Sequence, residues 1–158
     1  MEKTNAMRIL DQRKIKYNVY EYPHEDGVCV DGMEVANLLN QDPNKVFKTL
    51  VTVSNTKHYC VCVIPVNQEL DLKKCAKAIG AKSLEMLALK ELLPLTGYVR
   101  GGCSPIGMKK VFPTLIDESA KKYENIIFSA GKIGYQIEMN PNDLSKLIKV
   151  TFIDLRKE

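Results

Sequence analysis

The amino-acid sequence predicts one domain of the α/β class, of the mixed α+β type, with helices around a mixed β-sheet that curls towards a barrel. Short segments with helical periodicity alternate with short apolar strands along the whole chain of 158 residues. The segment 59–66 is apolar on both faces, which is typical of a strand inside a covered sheet or a closed barrel. Because the chain has no linker, repeat or low-complexity tract, we assign residues 1–158 to a single domain.

Capping residues and apolar residues at helical spacing predict the helices. The capping residues of the four clearest helices are Thr4, Asp31, Asp71 and Asn140. Glu34 completes a capping-box spacing in the second of these, and Gly80 is the expected end of the third. A weaker helical turn at residues 89–93 is expected to end at Pro94. The apolar residues expected to face the core are Ala6, Ile9, Leu10, Val35, Leu38, Leu39, Leu72, Cys75, Ala76, Ile79, Leu144, Leu147 and Ile148.

Runs of apolar residues bounded by turn residues predict the strands. Residues 46–53 and 59–66 form a hairpin through the polar turn 54–57. A polar loop at residues 23–30 follows the first strand. The other strands are expected at residues 17–22, 114–116, 126–129, 135–139 and 150–153.

Charge and cysteine content exclude several classes of protein. The net charge of +4 is compatible with a polyanionic partner, although a mild surplus usually serves only solubility. No apolar run approaches the roughly 18 residues of a membrane span, and the N terminus shows no signal peptide, so we expect a cytoplasmic protein without a membrane partner. The five cysteines are then expected to be reduced. Since Cys60 and Cys62 lack a second pair at zinc spacing, we expect structural thiols rather than a metal site. No cofactor is expected either.

Lys48 is the first candidate for a functional residue, because it stands within an otherwise apolar strand. It shares a strand face with Val46 and Leu50. The commoner explanation for such a pattern is a lysine at the sheet margin whose ammonium reaches water. The alternative is an ammonium that projects into a pocket and supplies a positive charge for a phosphate or an ester carbonyl oxygen.

Two glycine-rich segments are the next candidates. Residues 96–107 contain four glycines, which allow backbone N–H groups to approach an anionic ligand. A plain connection with two turns explains the same residues equally well. Residues 129–134 lie between two strands and have the pattern of a glycine hairpin turn. Neither segment is a Walker loop or a Rossmann fingerprint.

Ser129, Ser104 and Cys103 are the candidate nucleophiles of these segments. Neither His24 nor His58 can be tied to any of them from the sequence, so a Ser-His or Cys-His device is not supported. His24 is expected to be a loop residue rather than a general base. The aromatic residues, 7% of the chain, are scattered, so we expect no stacking platform for single-stranded nucleic acid.

Taken in order, three segments resemble the signature of the YbaK/EbsC family. Residues 42–51, Asp-Pro-Asn-Lys-Val-Phe-Lys-Thr-Leu-Val, resemble the lysine-bearing strand of that family. Residues 96–107 resemble its glycine-rich loop, and residues 129–144 resemble its C-terminal signature. The resemblance extends over nearly the whole chain, from about residue 7 to residue 155. Because no synthetase sequence flanks it, the chain is similar to the stand-alone members rather than to the domain inserted in prolyl-tRNA synthetases.

The resemblance implies a barrel-like mixed sheet with surrounding helices, and a trans-editing hydrolase that deacylates mischarged tRNA, in this subgroup Cys-tRNA(Pro) or Cys-tRNA(Cys). Lys48 matches the essential lysine of the family. The residues that match its substrate pocket are Tyr22, Gly101, Gly102, Ser104, Pro105, Gly107, Ser129 and Gly131. The sequence departs from the family pattern in carrying Gln136 where an acidic residue is common, and in lacking an aromatic residue near Asp31.

The resemblance further implies mischarged tRNA as the partner, prolyl-tRNA synthetase as a second candidate partner, and no DNA. Its mechanism needs no protein nucleophile, because the thiol of the substrate cysteine attacks its own ester carbonyl and water completes the hydrolysis. Two other classes stay open on the residues alone: a non-catalytic module that binds a small ligand or a partner protein, and a tRNA-binding accessory protein without hydrolysis. The charge of Lys48 separates the enzyme from the binding module, since a module that only docks a partner does not need that charge.

Overall fold

In the computed structural model, which describes residues 2–158, eight strands form two sheets. The strands are β1 (Asn18–Glu21), β2 (Phe47–Ser54), β3 (Tyr59–Pro65), β4 (Leu84–Met86), β5 (Thr114–Asp117), β6 (Ile126–Ser129), β7 (Tyr135–Met139) and β8 (Val150–Ile153). The α-helices are α1 (Asn5–Gln12), α2 (Gly32–Leu38), α3 (Leu72–Ile79) and α4 (Leu89–Thr96), and the 3₁₀ helices are Glu118–Lys122 and Pro141–Lys146. No helix within residues 2–158 is long and apolar enough to cross a membrane.

The larger sheet is mixed and has the strand order β4-β2-β3-β5-β8. Its β2 is antiparallel to both β3 and β4, whereas β5 is parallel to β3 and to β8. The smaller sheet is antiparallel, with β7 between β1 and β6. The mixed α+β class predicted from the sequence is therefore confirmed.

The two sheets do not close into a barrel, contrary to the expected curl. They meet at one parallel bridge between Val46 and Ile127, where the Ile127 nitrogen donates to the carbonyl of Lys45 at 2.9 Å. Closure requires continuous pairing of β2 with β6, and within residues 2–158 that pairing stops at this bridge. The edge of β2 beyond the bridge is therefore free to line a cavity.

Both faces of the larger sheet are covered. The main core lies on one face, between the sheet, α1 and the smaller sheet, and its fully buried side chains include Met7, Leu10 and Phe128. A second core lies on the other face, where α3 packs over Cys60 and Cys62. β3 is buried along nearly its whole length, as its apolar sequence predicts.

Local signals placed most element boundaries correctly. Thr4 accepts a hydrogen bond from the Met7 nitrogen at 3.2 Å, and Asp71 caps α3, which ends at Gly80 with φ +70°. Asp31 starts α2 without a side-chain cap, so the expected capping box is absent. The expected apolar face of α2 is buried only in part. Val35 and its neighbour Ala36 are buried, whereas Leu38 is 54% exposed.

Two elements differ from the sequence-based expectation. α4 does not end at Pro94 but continues to Thr96, whose hydroxyl donates to the carbonyl of Leu92 at 2.7 Å. Leu92 and Leu95 pack against the main core, and this packing outweighs the loss of one helix hydrogen bond at the proline. β4 was not predicted, because a three-residue strand with two exposed positions carries no periodic signal.

Candidate active site

A cavity of about 680 Å³ opens beside the first half of β2. It exists because β4 pairs only with the Thr52–Ser54 end of β2, and the last contact along that edge is the Leu87 nitrogen donating to the Val51 carbonyl at 3.0 Å. The edge from Phe47 to Leu50 therefore has no strand partner on that side within residues 2–158. The other walls come from α2 with the residues before it, from residues 86–92 and 100–103, and from β6 and β7. The volume lies within the roughly 300–1,000 Å³ of small-molecule sites.

Lys48 lines this cavity and is only partly exposed. Its backbone is held in the sheet opposite Ile64 of β3, and its neighbour Phe47 is buried in the main core. Among residues 2–158, no carboxylate oxygen lies within 4.0 Å of its ammonium. The Lys48 charge is therefore not neutralised by an ion pair, and it stands on a rigid strand beside the cavity.

Only some of the residues that match the family pocket line the cavity. Tyr22, Lys48, Gly101 and Ser129 form part of its wall. The residues that do not line it are Gly102, Ser104, Pro105, Gly107 and Gly131. Several of these five residues instead make contacts that hold the loops from which the cavity wall is built.

The loop-holding contacts involve buried polar and aromatic groups. Ser104 is fully buried, and its hydroxyl accepts a hydrogen bond from the Ile106 nitrogen at 3.2 Å. Gly107 and Gly131 both lie against the buried ring of Tyr98, where a Cβ atom would come within 3.0 Å of the ring or its hydroxyl. The glycine-rich loop thus lines the cavity at Gly101 and forms a tightly packed connection at Ser104 and Gly107.

Close approaches to glycine join the loops of the wall. Gly101 has φ +85°, and a Cβ atom there would lie 2.7 Å from the Sγ atom of Cys29. At Gly134 a Cβ atom would lie 2.2 Å from the imidazole of His24. The segment after β1 therefore packs directly onto the two glycine-containing segments, and this packing explains why side chains are absent at these positions.

The protein's own nucleophile candidates are poorly placed for attack. Burial raises the pKa of the Cys103 thiol to about 12, so it carries little thiolate at neutral pH. The hydroxyl of Ser129 accepts a hydrogen bond from the Gly131 nitrogen at 3.1 Å. Nδ1 of His24 lies 3.0 Å from the carbonyl of Tyr22, and Nδ1 of His58 lies 2.9 Å from the Thr56 hydroxyl. Neither imidazole is therefore paired with a serine or cysteine in the described chain.

Sequence reasoning missed an aromatic cluster beside the cavity. His24 lies between Tyr22 and Tyr135, with ring centroids 6.2 Å and 5.8 Å away in edge-to-face geometry. Tyr22 and Tyr135 line the cavity, and the ammonium of Lys132 lies 5.6 Å from the Tyr135 ring. No local signal could have revealed this cluster, because it depends on the pairing of β1 with β7.

The contact between Gln136 and Gln41 was not predicted from the sequence. Gln136 is 5% exposed and accepts a hydrogen bond from Nε2 of Gln41 at 2.8 Å. Gln136 lines the cavity, so the neutral residue that departs from the family pattern lies at the site.

Two cysteines, Cys29 and Cys103, line the cavity, and Cys29 is exposed. Within residues 2–158, no three His, Cys, Asp or Glu side chains are grouped to hold a metal ion.

Comparisons with known proteins identify the family. The family model "Aminoacyl-tRNA editing domain" matches residues 29–147. A protein of Enterococcus faecalis (strain ATCC 700802 / V583), named "Putative Cys-tRNA(Pro)/Cys-tRNA(Cys) deacylase EbsC", is 52% identical over 155 residues, which cover 98% of this chain and 93% of that protein. The proline–tRNA ligase of Shouchella clausii (strain KSM-K16) is 31% identical over 102 residues, which cover 65% of this chain but 18% of the ligase.

A solved structure shows the same fold. The crystal structure described as "a putative trans-editing enzyme for prolyl tRNA synthetase" superimposes with a TM-score of 0.79 at 23% identity, over the full length of both chains. The fold and the matched family model together define the class as an aminoacyl-tRNA editing domain. This chain belongs to the aminoacyl-tRNA editing domain family. The resemblance inferred from three sequence segments is thereby confirmed.

Proposed function

We propose that this protein is a cytoplasmic trans-editing deacylase that hydrolyses the ester of mischarged aminoacyl-tRNA, with Cys-tRNA(Pro) as its main substrate and residues 1–158 acting as one domain. The observation that carries this proposal is Lys48, which lines the cavity and has no carboxylate oxygen of residues 2–158 within 4.0 Å of its ammonium. The name of the 52% identical relative supports the choice of substrate.

In this proposal Lys48 supplies a fixed positive charge to the reacting ester. Negative charge develops on the carbonyl oxygen during attack, and a preorganised ammonium stabilises it more in the transition state than in the ground state. The burial of Phe47 on one side and the pairing with Ile64 on the other restrict the position of the lysine backbone. The backbone from which the ammonium extends is thus held in place before the substrate arrives.

The attacking group is the thiol of the substrate cysteine. Its sulfur forms a bond to the ester carbonyl carbon, the bond from that carbon to the ribose oxygen breaks, and the thiol proton passes to the ribose oxygen. The tRNA leaves, and water opens the resulting thiolactone to free cysteine. The raised pKa of Cys103 and the absence of a histidine beside Ser129 in the described chain support a substrate nucleophile over attack by Cys103 or Ser129.

The remaining residues of the family pocket divide into two proposed roles. Tyr22, Gly101 and Ser129 contact the aminoacyl group, since they line the cavity. The loop-shaping residues are Gly102, Ser104, Pro105, Gly107 and Gly131. Discrimination for cysteine then rests on thiol chemistry, which exceeds the roughly 10–200-fold that one methylene provides in an apolar pocket.

Selection of the tRNA is proposed to involve prolyl-tRNA synthetase. The net charge of +4 supports few phosphate contacts, so binding of free tRNA is expected to be weak. The relationship to a segment of proline–tRNA ligases is consistent with editing of their product. A bound synthetase would pass the mischarged 3′ end to the cavity.

The test is release of cysteine from purified Cys-tRNA(Pro), with Lys48→Ala as the variant and Lys77→Ala as the matched control. Lys77 is an exposed lysine of α3, which covers the second core and does not line the cavity. Loss of the preorganised charge at Lys48 is expected to lower the rate on the order of 10²–10³-fold. Lys48→Arg is expected to restore activity only in part, because a planar guanidinium differs from an ammonium in reach and donors.

Two results would contradict the proposal. A folded Lys48→Ala protein with near wild-type turnover would remove Lys48 from the mechanism. A wild-type protein that binds tRNA but leaves the ester intact would instead establish a binding module.

A further inference from the structure

The mouth of the cavity, formed by His24, Arg100, Lys132 and Tyr135, carries a partly exposed aromatic ring with a cation above it. Tyr135 lines the cavity and is partly exposed, and its backbone is held by hydrogen bonds to Ala130 and Lys132 at 3.0 and 3.2 Å. His24 packs edge-to-face on the ring at 5.8 Å between centroids. The ammonium of Lys132 lies 5.6 Å from the ring centroid. The ring therefore packs on the imidazole of His24 and lies beside a positive charge.

A second cation reaches the same mouth from the neighbouring loop. Arg100 is exposed and lines the cavity. Two residues along, a Cβ atom at Gly102 would lie 3.0 Å from the Ile133 nitrogen and 3.3 Å from Lys132 backbone atoms, so the two loops touch. Neither Arg100 nor Lys132 has a carboxylate oxygen within 4.0 Å in the described chain. Asp31 is the one acidic residue among the cavity-lining residues that the structure describes.

We propose that this mouth, formed by His24, Arg100, Lys132 and Tyr135, binds the unpaired 3′ nucleotides of tRNA. A base stacks on the face of Tyr135 opposite the Lys132 ammonium, while Arg100 and Lys132 neutralise neighbouring phosphates. The inference rests on the proposed function, because an ester carbonyl at Lys48 requires the ribose and the following nucleotides to leave through the mouth. Aromatic rings next to cations are the usual means of holding unpaired nucleotides without reading their sequence.

The two kinds of contact respond differently to salt, and the test uses this difference. Binding of an uncharged tRNA(Pro) transcript is measured by fluorescence anisotropy at several salt concentrations. Tyr135→Ala is expected to weaken binding by roughly 5- to 150-fold, the range of one base–aromatic stack, and to leave the salt slope unchanged. Lys132→Ala is expected to make the slope of log K against log salt shallower by about 0.7, the value of one phosphate contact on a single strand.

Three controls make the result specific to the 3′ end. Tyr135→Phe retains the ring and is expected to bind like the wild type. Lys77→Ala removes the same charge from α3 and is expected to change neither affinity nor slope. The same transcript without its last three nucleotides is expected to bind wild type and both mouth variants equally weakly.

The inference and the proposed function fail in different ways. Equal binding of wild type, Tyr135→Ala and Lys132→Ala to the full transcript would overturn the inference, as would an equal loss on the truncated transcript. These outcomes do not depend on hydrolysis, because the transcript is uncharged. Failure of the wild type to release cysteine from Cys-tRNA(Pro) would overturn the proposed function. Thermal melting of each variant confirms that the binding data refer to folded protein.

Discussion

Substitution of Gly101 by alanine is expected to destabilise the wall of the cavity through two separate effects. With φ +85°, this residue has a backbone conformation that costs an L-residue roughly 1–2 kcal/mol. The new Cβ atom would also lie 2.7 Å from Cys29 Sγ and 3.2 Å from Cys29 Cβ, so Cys29 must move. Cys29 is exposed and can move. We therefore expect the clash to cost about 1 kcal/mol, near the lower end of the range that is typical of overpacking.

The sum is a loss of about 2–3 kcal/mol in the free energy of unfolding, or about 5–10 °C in melting temperature for a chain of this size. A double-mutant cycle with Cys29→Ala separates the two effects by urea unfolding. Cys29→Ala alone is expected to change stability little, whereas in the Gly101→Ala background it is expected to restore about 1 kcal/mol. Gly101→Ala within about 0.5 kcal/mol of wild type would refute the argument, and additive effects would show that backbone strain acts alone.

Four further outcomes are expected. Cys103→Ala retains most deacylation activity if the attacking thiol belongs to the substrate, and a thioester trapped on Cys103 would contradict that view. Ala-tRNA(Pro) is hydrolysed far more slowly than Cys-tRNA(Pro) at every salt concentration, and comparable rates in single-turnover assays would favour direct attack by water. Burial raises the pKa of Tyr98 to about 12, so the stability that Tyr98 contributes is present below pH 10 and is lost as pH rises towards 12. Tyr98→Phe loses the hydrogen bond to the carbonyl of Ile106 and should be less stable by about 1 kcal/mol at pH 8. In urea unfolding, the free energy of unfolding of this variant should fall less between pH 8 and pH 11 than that of the wild type. Asp71→Ala removes the cap of α3 and is expected to cost about 1 kcal/mol in the same assay, with no change in KM for tRNA.

The sequence alone determined those features that depend on a few neighbouring residues. Caps at Thr4 and Asp71 act within one helical turn, so their side-chain types were sufficient to place the helix starts. The hairpin of β2 and β3 was equally predictable, since every side chain of β3 is suited to burial and a polar turn separates the strands. Lys48 was recognisable as the one charged residue of an apolar strand, and its surroundings made the family resemblance specific.

Only the tertiary structure decided which residues meet at the cavity. β1 pairs with β7 in a register that places Glu21 opposite Tyr135, and this pairing brings the Tyr22–His24 segment beside a residue more than a hundred positions away. No periodicity or cap encodes such a contact, because it depends on sheet pairing and loop packing across the whole chain. The same holds for the free edge of β2 beside Lys48, which exists because β4 is short and the sheets do not close.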